Sequence, residues 1–270
     1  MSTVDGRFSH IRAMDTQTQT IVHSYSPKVG GEQLASLTPD GFRAYVHSRY
    51  SQFIWQINTE THELSQGADL EGSTPYMVAS ANGQTLYAGG TLESGRGFLK
   101  AIDAPTQTVT KTLLTKPWPY SLAVNPKQPL LYLANVGDAD SDSDPSAIDV
   151  IATDSWMLVA RILITGFAYA MAPSHDGTRL YVADLTSSEI LLIDTATHKV
   201  IKVAASEKSP RHLSVSADGK HIYVVTYTSG RIWILDAENL EVVRFIETGK
   251  TDLREVLATP ADRIYVLYQH

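Results

Sequence analysis

Short apolar runs broken by Asp-Gly, Asn-Gly and Ser-Gly turns recur along the whole chain. Between residues 212 and 247 they read HLSVS, HIYVVTY, RIWILD and EVVRFIE, rich in β-branched and aromatic side chains. Runs of that length and type, bounded by turn dipeptides, predict strands joined as hairpins, so the segment predicts a four-stranded antiparallel meander. No stretch shows a sustained apolar period of 3.6, so no helix of useful length competes.

The meander repeats. One motif is a turn followed by a β-rich run ending in Tyr: LTPDGFRAYV, ASANGQTLYA, VNPKQPLLYL, PSHDGTRLYV, VSADGKHIYV and ATPADRIYV. Its tyrosines, Tyr45, Tyr87, Tyr132, Tyr181, Tyr223 and Tyr265, are spaced by 42, 45, 49, 42 and 42 residues. A second motif is an apolar run, an Asp or substitute, and a Thr/Ala/Asn-rich turn: IRAMDTQTQTI, IWQINTETHEL, FLKAIDAPTQTV, VIATDSWML, ILLIDTATHKV and IWILDAENLEV. Its key positions, Asp15, Asn58, Asp103, Ala152, Asp194 and Asp236, are spaced by 43, 45, 49, 42 and 42 residues. Two independent markers with one period of four strands predict the blades of a β-propeller, in which each small sheet packs on its neighbours around an axis.

The ends of the chain predict how the ring closes. The first Asp motif has no Tyr motif before it, and the last Tyr motif has no Asp motif after it. Five complete blades plus one composite blade, built from strands near 8–25 and 253–269, make six blades in a single domain over 1–270. The separation from Tyr265 through the join to Asp15 is 20 residues, within the 13 to 20 found inside complete units. Such closure removes the open seam of a linear array.

SADGKHIYV followed by IWILDAENLEV resembles the YVTN-type β-propeller repeat of the quinoprotein amine dehydrogenase-like superfamily, and the resemblance covers essentially the whole chain. It implies a propeller and no shared catalytic motif. Because seven blades are usual in that family, seven is the alternative count. Related propellers include subunits of amine dehydrogenases, so a subunit of a larger redox enzyme is one implied role, by analogy of fold alone.

Composition narrows the field. The 22 Lys and Arg against 29 Asp and Glu leave a net charge of −7, with no basic run, which disfavours nucleic acid as a partner. With no Cys, disulfides, thiolate metal sites and thiol nucleophiles are excluded. No basic-then-apolar leader opens the sequence and no apolar stretch is long enough to span a bilayer, so the expectation is a chain without membrane partners, cytoplasmic as written. A mature exported form with an added Met would read the same.

In a propeller the starts of the innermost strands gather around one mouth of the axis, where ligands commonly bind. Aligned on the tyrosines, these positions are Gln33, Pro75, Tyr120, Tyr169, Arg211 and Arg254, followed by Leu34, Tyr76, Ser121, Ala170, His212 and Glu255. One side is cationic, with Arg211, His212 and Arg254 near Glu32 and Glu255; the other is aromatic, with Trp118, Tyr120, Tyr169 and Tyr76. His47 lies in another loop of the same face. Arginines clamp carboxylates or phosphates, aromatics stack on planar bodies, and His212 or Glu255 can carry a proton. The expectation is a small anionic, aromatic-containing ligand bound at the axis. The alternatives are a metal-independent lyase, cyclase or hydrolase using His212 and Glu255 in the same funnel, and a protein-interaction scaffold. Solvated loop residues satisfying one another are the plain reading of the same pattern.

Asp138, Asp140, Asp142 and Asp144 alternate in NVGDADSDSDP, which resembles the start of a calcium loop. Ser143 stands where such a loop needs Gly, and Asp149 where it needs a closing Glu, so a weak calcium site is the most this segment predicts. A solvated acidic insertion is the plain reading. No other cofactor is predicted: the remaining histidines lack zinc spacing, and neither a G-x-S-x-G elbow nor a phosphate-binding Gly loop is present.

Overall fold

The apolar runs form strands throughout the computed structural model, which describes residues 2–5, 8–15, 18, 20–26, 33–38, 40–48, 51–136, 145–207, 209–259 and 264–268. Among these residues there is no helix, and so none long and apolar enough to cross a membrane. The chain divides into two compact units, Met1–Tyr120 and Ser121–His270.

The first unit holds three sheets. β1 (Ser2–Asp5), β2 (Phe8–Met14) and β3 (Ile21–Tyr25) form a three-stranded sheet. β4 (Gln33–Leu37), β5 (Arg43–Ser48), β6 (Phe53–Asn58) and β7 (Leu64–Asp69) form a four-stranded meander. So do β8 (Gly72–Ala79), β9 (Thr85–Leu92), β10 (Gly97–Asp103) and β11 (Thr108–Thr115).

The boundary between the units falls within β12 (Pro119–Val124), which opens the meander completed by β13 (Leu130–Asn135), β14 (Ala147–Ala152) and β15 (Met157–Leu163). The next meander is β16 (Ala168–Pro173), β17 (Arg179–Asp184), β18 (Glu189–Asp194) and β19 (Lys199–Ala205). β20 (Pro210–Val215), β21 (His221–Thr226), β22 (Arg231–Asp236) and β23 (Val242–Glu247) follow, and β24 (Leu253–Ala258) pairs with β25 (Ile264–Tyr268). All pairings are antiparallel. The five four-stranded meanders are the blades that the repeat predicts; among the described residues, the terminal strands form a separate three-stranded and a separate two-stranded sheet.

The apolar cores lie between consecutive sheets. Leu180, Val182, Leu191 and Ile193 pack with Tyr132, Ile148, Val150 and Ile162 of the preceding sheet. On the other face, Tyr181, Ile190 and Leu192 pack with Leu213, Ile222 and Leu235 of the following one. The second and third strands are therefore buried on both faces, which explains why their sequences run apolar without alternation. Fourth strands differ. β15, β19 and β23 are largely exposed, and they present Met157, Val159, Ile201, Val203, Val243 and Phe245 to the surface.

The two sequence motifs are the two ends of one contact. The Asp motif closes the turn between third and fourth strands: the Asp103 carboxylate accepts from Thr106 N at 2.8 Å and its hydroxyl at 2.6 Å, and Asp194 accepts from Thr197 N and Oγ1 at 2.7 and 2.6 Å. Four residues after Asn58, Asp103, Ala152, Asp194 and Asp236, the residues His62, Gln107, Trp156, His198 and Leu240 adopt left-handed φ. The Tyr motif then reaches the next sheet's turn. Tyr45 donates to Ala104 O at 3.1 Å, and Tyr181 to Ala237 O at 2.8 Å, the residues following Asp103 and Asp236.

Two outcomes follow. Each of Tyr45→Phe and Tyr181→Phe should lower stability in urea unfolding by about 0.5–1.5 kcal/mol, because the carbonyl keeps a second donor, Gln107 Nε2 or Arg179 Nη1. Acid should also destabilise the turns. Asp176 is held down to about 2, first by the Ser174 hydroxyl and then by Thr178, and Asp103 and Asp194 are lowered by their Thr hydroxyls. With folded values depressed, the unfolded chain binds more protons in acid, so stability present above the ordinary carboxylate range is lost as pH falls toward about 2. Asp176→Asn should flatten the acid limb of melting temperature against pH.

Candidate functional site

Three first strands of the second unit begin with a β-bulge. Pairing of β16 with β17 shifts between Ala168 and Ala170, of β20 with β21 between Pro210 and His212, and of β24 with β25 between Leu253 and Glu255. The extra residues are Tyr169, Arg211 and Arg254. A bulge leaves its extra residue outside the ladder and re-aims the side chain. Here three such side chains come together.

The Arg211 guanidinium lies 4.3 Å from the ring centre of Tyr227 and 5.8 Å from that of Tyr169. Arg254 approaches Tyr227 at 5.7 Å. Cations over aromatic faces are attracted by the ring quadrupole, worth about 0.5–2 kcal/mol. The backbone fixes this arrangement, since Tyr227 N donates to Ser209 O at 3.1 Å and so ties the β21–β22 loop to the start of β20.

The two arginines differ in one respect. Arg254 Nη2 donates to Asp252 Oδ2 at 3.0 Å, and its Nε stands 2.9 Å from Oδ1. Arg211 has no ion pair or hydrogen bond with a described residue, and its Nε is buried without an acceptor. A half-buried guanidinium held by rings, with no acidic partner among the described residues, has donors of the kind that meet an anion.

His212 follows Arg211 and points elsewhere. Its Nδ1 lies 3.1 Å from Val256 O, which makes Nδ1–H the donor and leaves Nε2 with the lone pair. Burial lowers its pKa, and the Glu255 carboxylate acts in the opposite sense. The neutral ring can accept a proton at Nε2.

The other predicted residues fall in the first unit or outside the described residues. The Tyr76 and Tyr120 rings meet at 5.4 Å, tilted, and Trp118 is exposed with φ 60°. His47 lies opposite Leu34 in β5 and is buried, its Nδ1 2.9 Å from Thr74 O and its pKa pushed down to about 4 by burial. Gln33 begins β4. Glu32 and the four acidic positions Asp138, Asp140, Asp142 and Asp144 lie outside the described residues. Among the described residues no three His, Asp or Glu side chains group as metal ligands do.

Sequence reasoning missed Tyr227 and Asp252. Asp252 had a signal. It aligns with Trp118 and Ser209, each two residues before its bulge or inner-strand position, and all three have left-handed φ. Tyr227 had none, since it sits in a loop whose fold is set by the neighbouring strand.

Likeness to known structures settles what these sheets build. A chain of a functionally unknown protein from Desulfotomaculum acetoxidans DSM 771 matches with TM-score 0.74 at 17% identity, covering 90% of this chain and 78% of that one. The fold is a β-propeller. A chain of the mitotic checkpoint complex also matches with TM-score 0.74, at 13% identity, covering 87% of this chain and 72% of its own. Kuenenia stuttgartiensis hydrazine synthase matches with TM-score 0.63 at 15% identity, over 87% of this chain and 94% of that chain. At these identities the propeller likeness is one of fold alone. In sequence, the uncharacterized protein YncE of Escherichia coli strain K12 is 24% identical over 208 residues, 67% of this chain. The chain spans 56% of that relative's length. No protein-family model matches.

The buried His47 and the part-buried His212 make the protein sensitive to mild acid. Their folded values are depressed, so below the ordinary imidazole value of 6.5 the unfolded state takes up protons that the folded state refuses, and stability should fall as pH drops from 6.5 toward about 4. Glu255→Gln should lower the His212 pKa further, read by NMR titration of its ring proton. An unchanged or raised value would show that Glu255 does not act on it.

Proposed function

We propose that the chain is one six-bladed propeller over residues 1–270, closed by a composite blade, that binds a small anionic molecule with an aromatic body at Arg211. The observation that carries the ligand reading is the Arg211 guanidinium, set between Tyr227 and Tyr169 with no counter-ion among the described residues. An anion supplies the missing charge, and the rings offer faces to a planar body. The acid/base alternative would use His212 Nε2 as base, but its ring turns from Arg211 toward Val256, which favours the binding reading.

Benzoate and phenyl phosphate serve as probes. NMR titration should shift resonances of Tyr169, Arg211 and Tyr227, and Arg211→Ala should weaken binding about ten- to a hundredfold. Unchanged affinity in that variant sets the ligand reading aside. His212→Ala should leave affinity nearly intact if the residue moves a proton and has no part in binding.

A protein partner is the second reading. It is favoured by the exposed apolar side chains of β15 and β19, and one structural neighbour is itself part of a complex. The two readings separate, because Ile201→Lys on β19 should leave probe binding at Arg211 unchanged.

For closure, removal of residues 256–270 strips Val256, Ile264 and Val266 from the core they form with Val225, Ile232 and Ile234. At about 1.5–3 kcal/mol for each buried aliphatic side chain, that loss is comparable with the roughly 5–15 kcal/mol by which domains are stable, so the truncated chain should lose its cooperative melt.

A further inference from the structure

We infer that the anion taken at Arg211 is a monocarboxylate, and that Asp252 is the residue that selects it over a phosphate monoester. The inference rests on the ligand reading above and narrows it.

The charges of the cluster carry the argument. Arg254 is held by both oxygens of Asp252, and the next residue on β24, Glu255, brings a second carboxylate. Arg231 on β22 is likewise matched, by Glu247 at 2.6 Å and Glu207 at 3.6 Å. Arg211 is the one guanidinium of the group without an acidic partner among the described residues. The site therefore offers a single uncompensated fork at Arg211, and the other guanidinium at Tyr227, Arg254, is already paired with Asp252.

A carboxylate matches this offer in charge and shape, because its two oxygens lie in one plane and meet a guanidinium edge with two parallel hydrogen bonds. A phosphate monoester carries about −1.5 to −2 at neutral pH, so Arg211 alone leaves part of that charge unmatched while Asp252 keeps Arg254 occupied. Asp252 sits at φ 54°, a conformation Asn tolerates well, so its charge can be removed with little change of shape.

The experiment compares benzoate with phenyl phosphate by titration calorimetry or NMR at neutral pH on the full chain, on Asp252→Asn and on Arg211→Ala. The expected result is tighter binding of benzoate to the unaltered protein, loss of both probes in Arg211→Ala, and a shift of the affinity ratio toward phenyl phosphate by about tenfold in Asp252→Asn. Tighter binding of phenyl phosphate to the unaltered protein, still dependent on Arg211, overturns this inference and leaves the anion site standing. A ratio unchanged in Asp252→Asn overturns the role of Asp252. Failure of both probes to bind, or binding indifferent to Arg211, overturns the inference together with the reading beneath it.

Discussion

A four-stranded sheet with two apolar faces cannot cover itself, and within each unit the chain meets that constraint by packing consecutive sheets face to face. Leu180 and Val182 serve one interface while Tyr181 serves the other, so adjacent residues of β17 belong to different cores. The tyrosine hydroxyl adds direction to this packing. By bonding Ala237 O, Tyr181 fixes how far the next sheet slides along the shared face. Tyr45 does the same with Ala104, and the Tyr132 hydroxyl meets the side chain of Thr195, which follows Asp194.

This registration works at one end of the sheets, and the candidate site lies at the other. His221 pairs with Asp236 at the turn end of β21, whereas Pro210 pairs with Thr226 at the end where Arg211 and Tyr227 meet. The rigid end is closed by carboxylates that cap their own turns. At the far end, an arginine is held by rings that contribute little charge. Aromatic faces position a guanidinium without neutralising it, whereas the ion pair at Arg254 positions and neutralises together.

The fold was legible to the degree that it repeats. Tyr and Asp motifs recur because they meet between sheets, as at Tyr45, Tyr132 and Tyr181, and the absence of alternation in HIYVV reflects burial on two faces. The site was legible in part. Alignment of the repeats pointed to Tyr169, Arg211 and Arg254, and the structure sets Arg211 against Tyr169 and both arginines against Tyr227. That Asp252 pairs with Arg254, and that His212 turns toward Val256, depends on a bulge that shifts the pairing by one residue. Such a shift has no compositional mark. His47 reads as a solvated loop histidine, yet strand β5 extends through it and buries it.

The bulge has a consequence for how such a protein changes. At the corresponding place in β8 the pairing shifts between Ser73 and Tyr76, and the segment contains Pro75, a residue with no N–H to give. A position that owes nothing to the ladder accepts proline, tyrosine or arginine alike, and the repeats of this one chain display all three. Recognition can thus be rewritten one blade at a time while the interfaces beneath it stay as they are.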